Sequence, residues 1–279
     1  MFDVGVRTIS QFGYSVLLAV VEFGRFTRFA GSVFNWLVFH LPRWCRWRLL
    51  GPQLYSVGVA SIPVVAITGA FIGMVLALEG YDQFAQFGQE GRLGGVINVS
   101  VVKQIGPVLA AVMVAGRVGG ALAAELGTMR VTEQLDALRA MAADPIPYLV
   151  VPRFVACIIM TPLLTIYSDI LGVWGGWLIT VQLFGVSPFD YWDFTAYFVN
   201  WWEPTSGLIK SVFFGASIGL ISCYKGFHCQ AGAAGVGRAA TEAFVASFLA
   251  IIAINLVLAQ LLNTIDRLFI SGGQFSPLG

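Results

Sequence analysis

Five segments of this chain are long and apolar enough to cross a lipid bilayer. A spanning helix needs roughly 20 mostly apolar residues, and such segments lie at residues 54–78, 96–122, 149–184, 208–224 and 243–262. The third contains Pro152 and Pro162 and is too short for two crossings, which predicts one long, kinked span. Charged residues make up only 11% of the chain, against about 25% in soluble domains. The sequence therefore predicts an all-α polytopic membrane protein, with its transmembrane domain over residues 51–279.

The region before the first span, residues 1–50, has a different pattern. Its polar side chains are three or four positions apart and so form one helical stripe, which consists of Glu22, Arg25, Arg28, Ser32 and Asn35. Apolar residues fill most of the remaining positions, which predicts an amphipathic helix lying in the membrane interface. The alternative is a sixth spanning helix that begins near Val16, and the two arginines in the middle of the segment argue against it.

The distribution of basic residues predicts the orientation in the membrane. With a cytoplasmic N-terminus, the outer segments and span ends carry only four of the 16 Lys and Arg residues, namely Arg92, Lys103, Lys210 and Arg267. This asymmetry fits the positive-inside rule, and five spans then place the C-terminus on the periplasmic side. Residues 1–15 lack the pattern of a secretory signal and no transit peptide is apparent, so we expect a multi-pass protein of a bacterial inner membrane.

The sequence gives little indication of enzymatic or metal chemistry. Cys223, His228 and Cys229 lie close along the chain but make a poor zinc site without a carboxylate. Neither His40 nor His228 has a nucleophile arranged beside it, and no phosphate-binding Gly-x-x-x-x-Gly-Lys motif occurs. The net charge of +1 gives no reason to expect a nucleic-acid partner. We therefore expect neither a metal site nor a catalytic site in this chain.

The segment between the second and third spans, residues 116–145, predicts a short cytoplasmic helix. Thr128 or Thr132 can cap its N-terminus, acidic residues follow in its first turns, and Pro145 ends it. Leu135, Leu138 and Met141 repeat at a spacing of three residues. An ATP-driven transporter needs a rigid element of this kind, through which a cytoplasmic ATPase can act on the spans. The alternative interpretation is a plain connecting helix.

Several motifs of the chain resemble those of the MlaE/YrbE permeases. They lie at residues 53–58, 68–81, 106–111, 115–119, 124–138 and 144–145. The most specific is the run Glu125-Leu-Gly-Thr-Met-Arg-Val-Thr-Glu-Gln134. The resemblance extends from about Gln53 to the C-terminus and is densest between Gly106 and Pro145.

This resemblance implies a homodimeric permease of an ABC-type phospholipid transporter that maintains outer-membrane lipid asymmetry. The expected partners are cytoplasmic ATPase subunits, a periplasmic ring of MCE-domain proteins and a small STAS-domain subunit. ATP and Mg would be used by the ATPase, and this chain itself would bind no cofactor. The coupling helix would cover residues 128–142, with contacts from Thr128, Met129, Arg130, Thr132, Glu133, Gln134, Leu135, Asp136 and Leu138.

A lipid site is expected where the first two spans reach the outer side, because apolar side chains there stand beside a lysine. The candidate residues are Leu76, Leu78, Tyr81, Phe84, Phe87, Lys103, Gln104 and Ile105. Lys103 can hold a phosphate as a point charge, and the alternative is that it only reaches towards the interface. In the family a basic residue is often followed by Glu here. This chain has Gln104, which can act only as a neutral hydrogen-bonding group.

Two polar residues fall inside predicted spans, Asp169 in the third and Asn255 in the fifth. A central Asp is costly and is a functional candidate by default; we expect Asn255, Tyr167 or Ser168 as its partner. An ion-coupled lipid transporter would also explain Asp169, and a sterol or an organic solvent is an alternative cargo. A lipid-modifying enzyme and a membrane scaffold are the remaining alternatives.

Glycine pairs spaced for close helix packing occur in four places. They are Gly69 and Gly73, Gly116 and Gly120, Gly172 and Gly176, and Gly215 and Gly219. We interpret them as contacts within the helical bundle or along a dimer seam.

Overall fold

The computed structural model describes residues 2–39 and 47–270, and within these ranges the chain forms helices joined by short turns, without a strand. The α-helices are α1 (Phe2–Phe39), α2 (Trp47–Val57), α3 (Ile62–Ala85), α4 (Leu93–Ser100), α5 (Gly106–Val114), α6 (Gly120–Val131), α7 (Gln134–Ala140), α8 (Val151–Trp177), α9 (Pro188–Phe198), α10 (Trp202–Phe227) and α11 (Ala233–Ile265). Single π-helical turns connect several of them, including Val101–Ile105, Ala115–Gly119, Ile146–Val150 and Leu178–Leu183.

Five continuous helical stretches of the described chain are long and apolar enough to cross a membrane. They are Trp47–Ala85, Glu90–Val131, Ile146–Leu183, Trp202–Phe227 and Ala233–Leu268. These stretches confirm the predicted multi-pass, all-α fold, and each one extends the predicted segment at one or both ends. The third is a single long helix with Pro162 in its interior, as predicted.

Helix α1 is not among the five stretches, although its 38 residues are long enough. It begins well before the predicted polar stripe. Its buried side chains Phe29 and Val33 pack against α8 and α10, where Phe29 contacts Tyr224 edge-on at 5.6 Å between ring centroids. The sixth-span alternative is therefore not supported, and a position in the interface plane stays a prediction.

The glycine pairs lie in contacts between helices of this one chain. A Cβ atom added to Gly73 would overlap the carbonyl oxygen of Gly172, and one added to Gly69 would lie 2.6 Å from the carbonyl oxygen of Ser168. Gly215 meets the carbonyl oxygen of Cys157 in the same way at 2.5 Å. These contacts bring α3 and α10 directly against the backbone of α8, which confirms the interpretation as bundle packing.

The two ends of the bundle differ in character. At one end, which carries α7 and is here called the α7 end, α1, α6, α8 and α10 share an apolar cluster. At the opposite end, the α9 end, the short helix α9 lies across the start of α4. The candidate sites described next lie at these two ends.

Candidate functional site

A polar cavity of about 400 Å³ opens at the α9 end. The π-helical turn Val101–Ile105 supplies most of its polar wall, and α9 and α10 complete it. Its lining residues are Val99, Ser100, Lys103, Gln104, Ile105, Phe198 and Glu203. Three of the predicted lipid-site residues therefore line one cavity together.

The charges of the polar cavity form a small connected group. Lys103 Nζ lies 3.0 Å from Glu203 Oε2, an ionic contact that is not aligned as a hydrogen bond. Lys210, which is only 1% exposed, donates hydrogen bonds to the carbonyl oxygen of Lys103 at 3.0 Å and to Gln104 Oε1 at 2.5 Å. Within the lining, the charge of Lys103 is balanced by that of Glu203. Lys210 is not a lining residue and its partner Gln104 is neutral, so it adds one positive charge behind the cavity wall. A positive charge in this place suits an anionic group.

The motif Gly106-Pro107 explains why Lys210 is tolerated inside the bundle. Proline has no N–H group, so the carbonyl four residues earlier, that of Lys103, has no partner from Pro107 in the helix. The backbone adapts with the π-helical turn Val101–Ile105, and Lys210 fills the vacant position with its own donor. The buried ammonium group of Lys210 and the carbonyl oxygen of Lys103 thus each gain a hydrogen-bond partner, which buried polar groups require. The sequence analysis placed Lys210 only at the outer end of its span and did not identify this role.

A second cavity, of about 430 Å³, lies at the same end and is almost entirely apolar. Its lining residues are Val102, Ile166, Asp169, Ile170, Val173, Trp174, Trp192, Pro204 and Leu208. Helix α9 contributes to both cavities, with Trp192 in the apolar one and Phe198 in the polar one. The turn Val101–Ile105 is also shared, through Val102 on one side and Lys103 on the other.

Asp169 is the only charged residue among those that line the apolar cavity. Its Oδ1 atom is buried against Gly106, where an added Cβ would overlap it, and accepts no hydrogen bond within the described chain. Asn255 Oδ1 is likewise buried without a partner. No hydrogen bond joins the two side chains within the described residues, so the structure does not bring the predicted pair of Asp169 and Asn255 together. Neither Tyr167 nor Ser168 takes that place. The Oδ1 atom of Asp169 lies against α5, at Gly106.

The apolar residues predicted for the lipid site from the first span lie elsewhere. Tyr81 stacks on Phe184 with 3.8 Å between ring centroids, and Leu76 and Phe84 pack with it against the start of α4. Leu78 and Phe87 are exposed. None of these residues lines either of the two cavities, because α3 turns this face towards α4 and the turn Leu178–Leu183.

The predicted coupling helix is divided into two parts. Helix α6 continues to Val131, and the shorter α7 begins only at Gln134. Between them Glu133 adopts a left-handed backbone conformation with φ of 59°, which interrupts the helical hydrogen bonding. Thr128 and Thr132 do not cap a helix, because their hydroxyl groups donate to the carbonyl oxygens of Ala124 and Thr128.

The residues predicted to contact the ATPase differ in burial. Leu135 is fully buried in the apolar cluster of the α7 end, so its place on a docking surface was wrong. Met129 and Leu138 are half-buried. The exposed members are Thr128, Arg130, Thr132, Glu133, Gln134 and Asp136. Met141 directly follows α7 and is 70% exposed, so this segment has an exposed apolar side chain although Leu135 is buried.

An ion pair connects this segment to the third span. Arg153 is 4% exposed and donates to the carbonyl oxygen of Leu149 at 2.9 Å and to Glu125 Oε2 at 3.2 Å. Glu125 precedes the coupling segment on α6, and Arg153 stands at the start of α8. In the π-helical turn before α6, Arg117 donates to Ser61 Oγ at 2.7 Å. Charged groups therefore connect α6 to α8 and the turn before α6 to the start of α3.

The thiols give no support for a metal centre. Cys157 and Cys223 are buried, and Cys229 Sγ donates to the carbonyl oxygen of Gln230 at 3.1 Å. Across residues 2–39 and 47–270 no three His, Cys, Asp or Glu side chains come together as metal ligands would.

Comparison with known proteins points to one family. The family model described as Permease MlaE matches residues 50–261. A protein of Rickettsia felis named probable ABC transporter permease protein is 46% identical over 209 residues, which are 75% of this chain and 81% of that protein. The intermembrane phospholipid transport system permease protein MlaE of Haemophilus influenzae is 36% identical over 77% of this chain and 82% of its own length.

A plant protein is similar as well. Protein TRIGALACTOSYLDIACYLGLYCEROL 1, chloroplastic, of Arabidopsis thaliana is 37% identical over 77% of this chain and 61% of that protein. The residues that match the family model begin within α2 and include both cavities and the segment predicted to couple to an ATPase. The chain therefore belongs to the MlaE permease family and is a membrane transport subunit.

Proposed function

We propose that this chain is the permease subunit of an ATP-driven transporter that moves phospholipid between the inner membrane and the periplasmic side, and so supports outer-membrane lipid asymmetry. The observation that carries the proposal is the polar cavity, with Lys103 in its lining and the additional positive charge of Lys210 behind its wall. The name of the Haemophilus relative, which refers to phospholipid transport, agrees with it.

The polar cavity has the chemistry to hold a phosphate group. Lys103 is 27% exposed in its side chain and is paired with Glu203, so its ammonium group can turn to an incoming phosphate. Lys210 stays fixed by its hydrogen bonds to Gln104 and to the backbone of Lys103. Its positive charge attracts the phosphate from behind the cavity wall. A phosphate would thus meet one mobile cation and one fixed cation, while Ile105 and Phe198 offer apolar surface beside them.

The α7 end has the features of a surface on which an ATPase acts. Met141 and the polar residues of α7 are exposed, while Leu135 anchors the helix in the bundle. Force applied to α7 would reach the third span through Glu125 and Arg153. In this proposal ATP and Mg bind to the ATPase subunits, two copies of this chain form the permease, and an MCE-domain ring and a STAS-domain subunit complete the complex.

The test is a crossed pair of substitutions in the chain co-expressed with its ATPase subunit. Lys103→Gln is expected to lower the phospholipid that co-purifies several-fold, because the mobile cation is lost, and to leave the bound ATPase unchanged. Met141→Asp is expected to do the reverse, because a charge would be placed in an apolar contact. Mass spectrometry quantifies lipid and ATPase in the same samples.

Each variant is the control for the other, and Lys225→Gln is a further one. Lys225 is also a lysine in an ion pair, with Glu242 at 2.8 Å, but it lies at the α7 end. Unchanged lipid in Lys103→Gln would exclude the polar cavity as the phosphate site. Unchanged ATPase binding in Met141→Asp would exclude the α7 surface as the coupling contact.

A further inference from the structure

The apolar cavity has a charge pattern opposite to that of the polar cavity. Its lining carries one carboxyl group, Asp169, and no cation. The two lysines at the neighbouring polar cavity have other partners, since Lys103 pairs with Glu203 and Lys210 bonds to Gln104. Asp169 belongs to no ion pair in the described part of the chain. An unpaired carboxylate in apolar surroundings is costly, so a cationic ligand would be held there with little competition.

Two indole rings stand in the same cavity as this carboxyl group. Trp174 follows Asp169 on α8, and Trp192 reaches in from α9. Both are about half exposed, so their faces are available. An ammonium group is attracted to the face of an indole ring, most strongly where water is excluded. A carboxylate together with two indoles is therefore a combination that favours an amine.

The position of the carboxyl group is fixed by the backbone beside it. Oδ1 of Asp169 occupies the space that a Cβ atom at residue 106 would need, and only glycine leaves that space free. The absence of a side chain at residue 106 therefore provides the space in which this carboxyl oxygen lies. Preorganisation of this kind lowers the cost of binding.

The remaining lining indicates a lipid as the source of the amine. Ile166 and Ile170 continue the cavity along α8 towards the α7 end, and both are exposed on the side of the helix. An acyl chain can lie on this surface while its headgroup remains near α9. A small soluble amine would leave the surface uncovered.

We propose that the apolar cavity binds the primary amine of an aminophospholipid, with Asp169 as its counter-ion and Trp174 and Trp192 as its aromatic walls. The inference deepens the proposed transport function and rests on it in one respect, that the ligand is a membrane lipid. It assigns the amine to a cavity separate from the one that takes the phosphate of the cargo.

The experiment uses the complex of this chain with its ATPase subunit, exchanged into nanodiscs of equal parts phosphatidylethanolamine and phosphatidylglycerol with identical acyl chains. The protein is then extracted, and the lipids retained by it are quantified by mass spectrometry. The charged amine interaction of Asp169 corresponds to about tenfold in affinity. We expect Asp169→Asn to lower the retained ratio of phosphatidylethanolamine to phosphatidylglycerol by about that factor.

Two further variants keep the test decisive if Asp169→Asn folds poorly. Trp192→Leu removes one aromatic wall without touching the buried carboxyl group and is expected to lower the same ratio several-fold. Trp201→Leu is its matched control, because Trp201 is 88% exposed and lines neither cavity. An unchanged ratio in Asp169→Asn, or in Trp192→Leu where the first variant cannot be purified, would overturn the amine site.

Lys103→Gln separates this inference from the proposed function. It is expected to lower the total phospholipid retained and to leave the effect of Asp169→Asn on the ratio in place. If the total does not change while Asp169→Asn still lowers the ratio, the phosphate site fails and the amine site stands. If the total falls and the ratio is insensitive to Asp169→Asn, the amine site alone fails.

Discussion

Two buried cations show how single charged residues are accommodated in this bundle. Arg153 and Lys210 each donate to one backbone carbonyl oxygen and to one side chain, Glu125 for the former and Gln104 for the latter. The carbonyl oxygen replaces part of the hydration that the buried cation has lost. The side-chain partner fixes the direction in which the cation points. The sequence shows that both residues lie near span ends, but their partners are 28 and 106 positions away, beyond any helical periodicity.

The Glu125–Arg153 pair gives a prediction at this scale. Glu125→Gln is expected to lower the free energy of unfolding by about 1–3 kcal/mol, because Arg153 keeps a buried charge with a weaker partner. Glu125 is half exposed, so solvent screening favours the lower part of that range. The midpoint of thermal unfolding in one detergent is the measurement.

The matched control is Asp136→Asn. Asp136 also pairs with an arginine, Arg139, at 2.8 Å, but both side chains are exposed. Its replacement is expected to cost no more than about 1 kcal/mol. Equal effects of the two substitutions would show that the burial of Arg153 contributes nothing.

At the scale of elements, α9 is the main helix that the sequence analysis did not predict. Its eleven residues are too few and too polar to resemble a span, although Pro188 in its first turn favours a helix start. A buried network holds it in place. Tyr191 Oη donates to Asn98 Oδ1 at 3.0 Å, and Asn98 Nδ2 donates to Thr195 Oγ1 at 2.8 Å. Gly94 leaves the space that the Tyr191 ring occupies.

Tyr191→Phe is expected to destabilise the attachment of α9 by about 1–3 kcal/mol, because Asn98 Oδ1 would be buried without a donor. Hydrogen exchange of the α9 amides measures the effect locally. Tyr197→Phe on the same helix is the control, since Tyr197 is 76% exposed. Faster exchange of α9 in both variants alike would contradict the role of the network.

Burial raises the pKa of Tyr191 from its ordinary value of 10.0 to about 12. The folded protein therefore holds this proton more tightly than the unfolded chain. The contribution of Tyr191 to stability is complete below pH 10 and is lost as the pH rises from there towards 12. In the physiological range the hydroxyl group remains a donor to Asn98.

For the molecule as a whole, the number and order of the spans could be predicted because lipid imposes a length on every crossing. Contacts between the spans impose no such pattern. Hydropathy located the second span but gave no sign of the π-helical turn that presents Lys103 and Gln104. The break at Glu133 was equally hidden, because a left-handed glutamate is rare and has no sequence signal. Of the residues predicted for a lipid site, Lys103, Gln104 and Ile105 come together at the polar cavity, whereas nothing in the sequence indicated that Glu203 and Lys210 join them there.

The predicted orientation can be tested on Cys229, which lies between the fourth and fifth spans. In a Cys45→Ser variant, a membrane-impermeant maleimide is expected to label Cys229 only after spheroplasts are permeabilised, because this loop should face the cytoplasm. Burial raises the pKa of the Cys229 thiol, so the labelling is carried out at mildly alkaline pH. Cys157 and Cys223 are buried and should not react.

The control places a thiol on the other side of the membrane. Tyr197→Cys, combined with Cys45→Ser and Cys229→Ser, puts an exposed cysteine on α9, and it is expected to react in intact spheroplasts. Labelling of Cys229 without permeabilisation would reverse the topology and move both cavities to the cytoplasmic side.

The glycine contacts between α3 and α8 have a consequence for motion. Where backbone meets backbone, as at Gly73 and Gly172, no layer of side chains is present that could change rotamer and let one helix slide along the other. Spans one and three must then move as a single rigid unit. The seams of the bundle filled by flexible side chains, such as the contact of Gly116 with Phe244 on α11, are where this unit can separate from the rest when the transporter works.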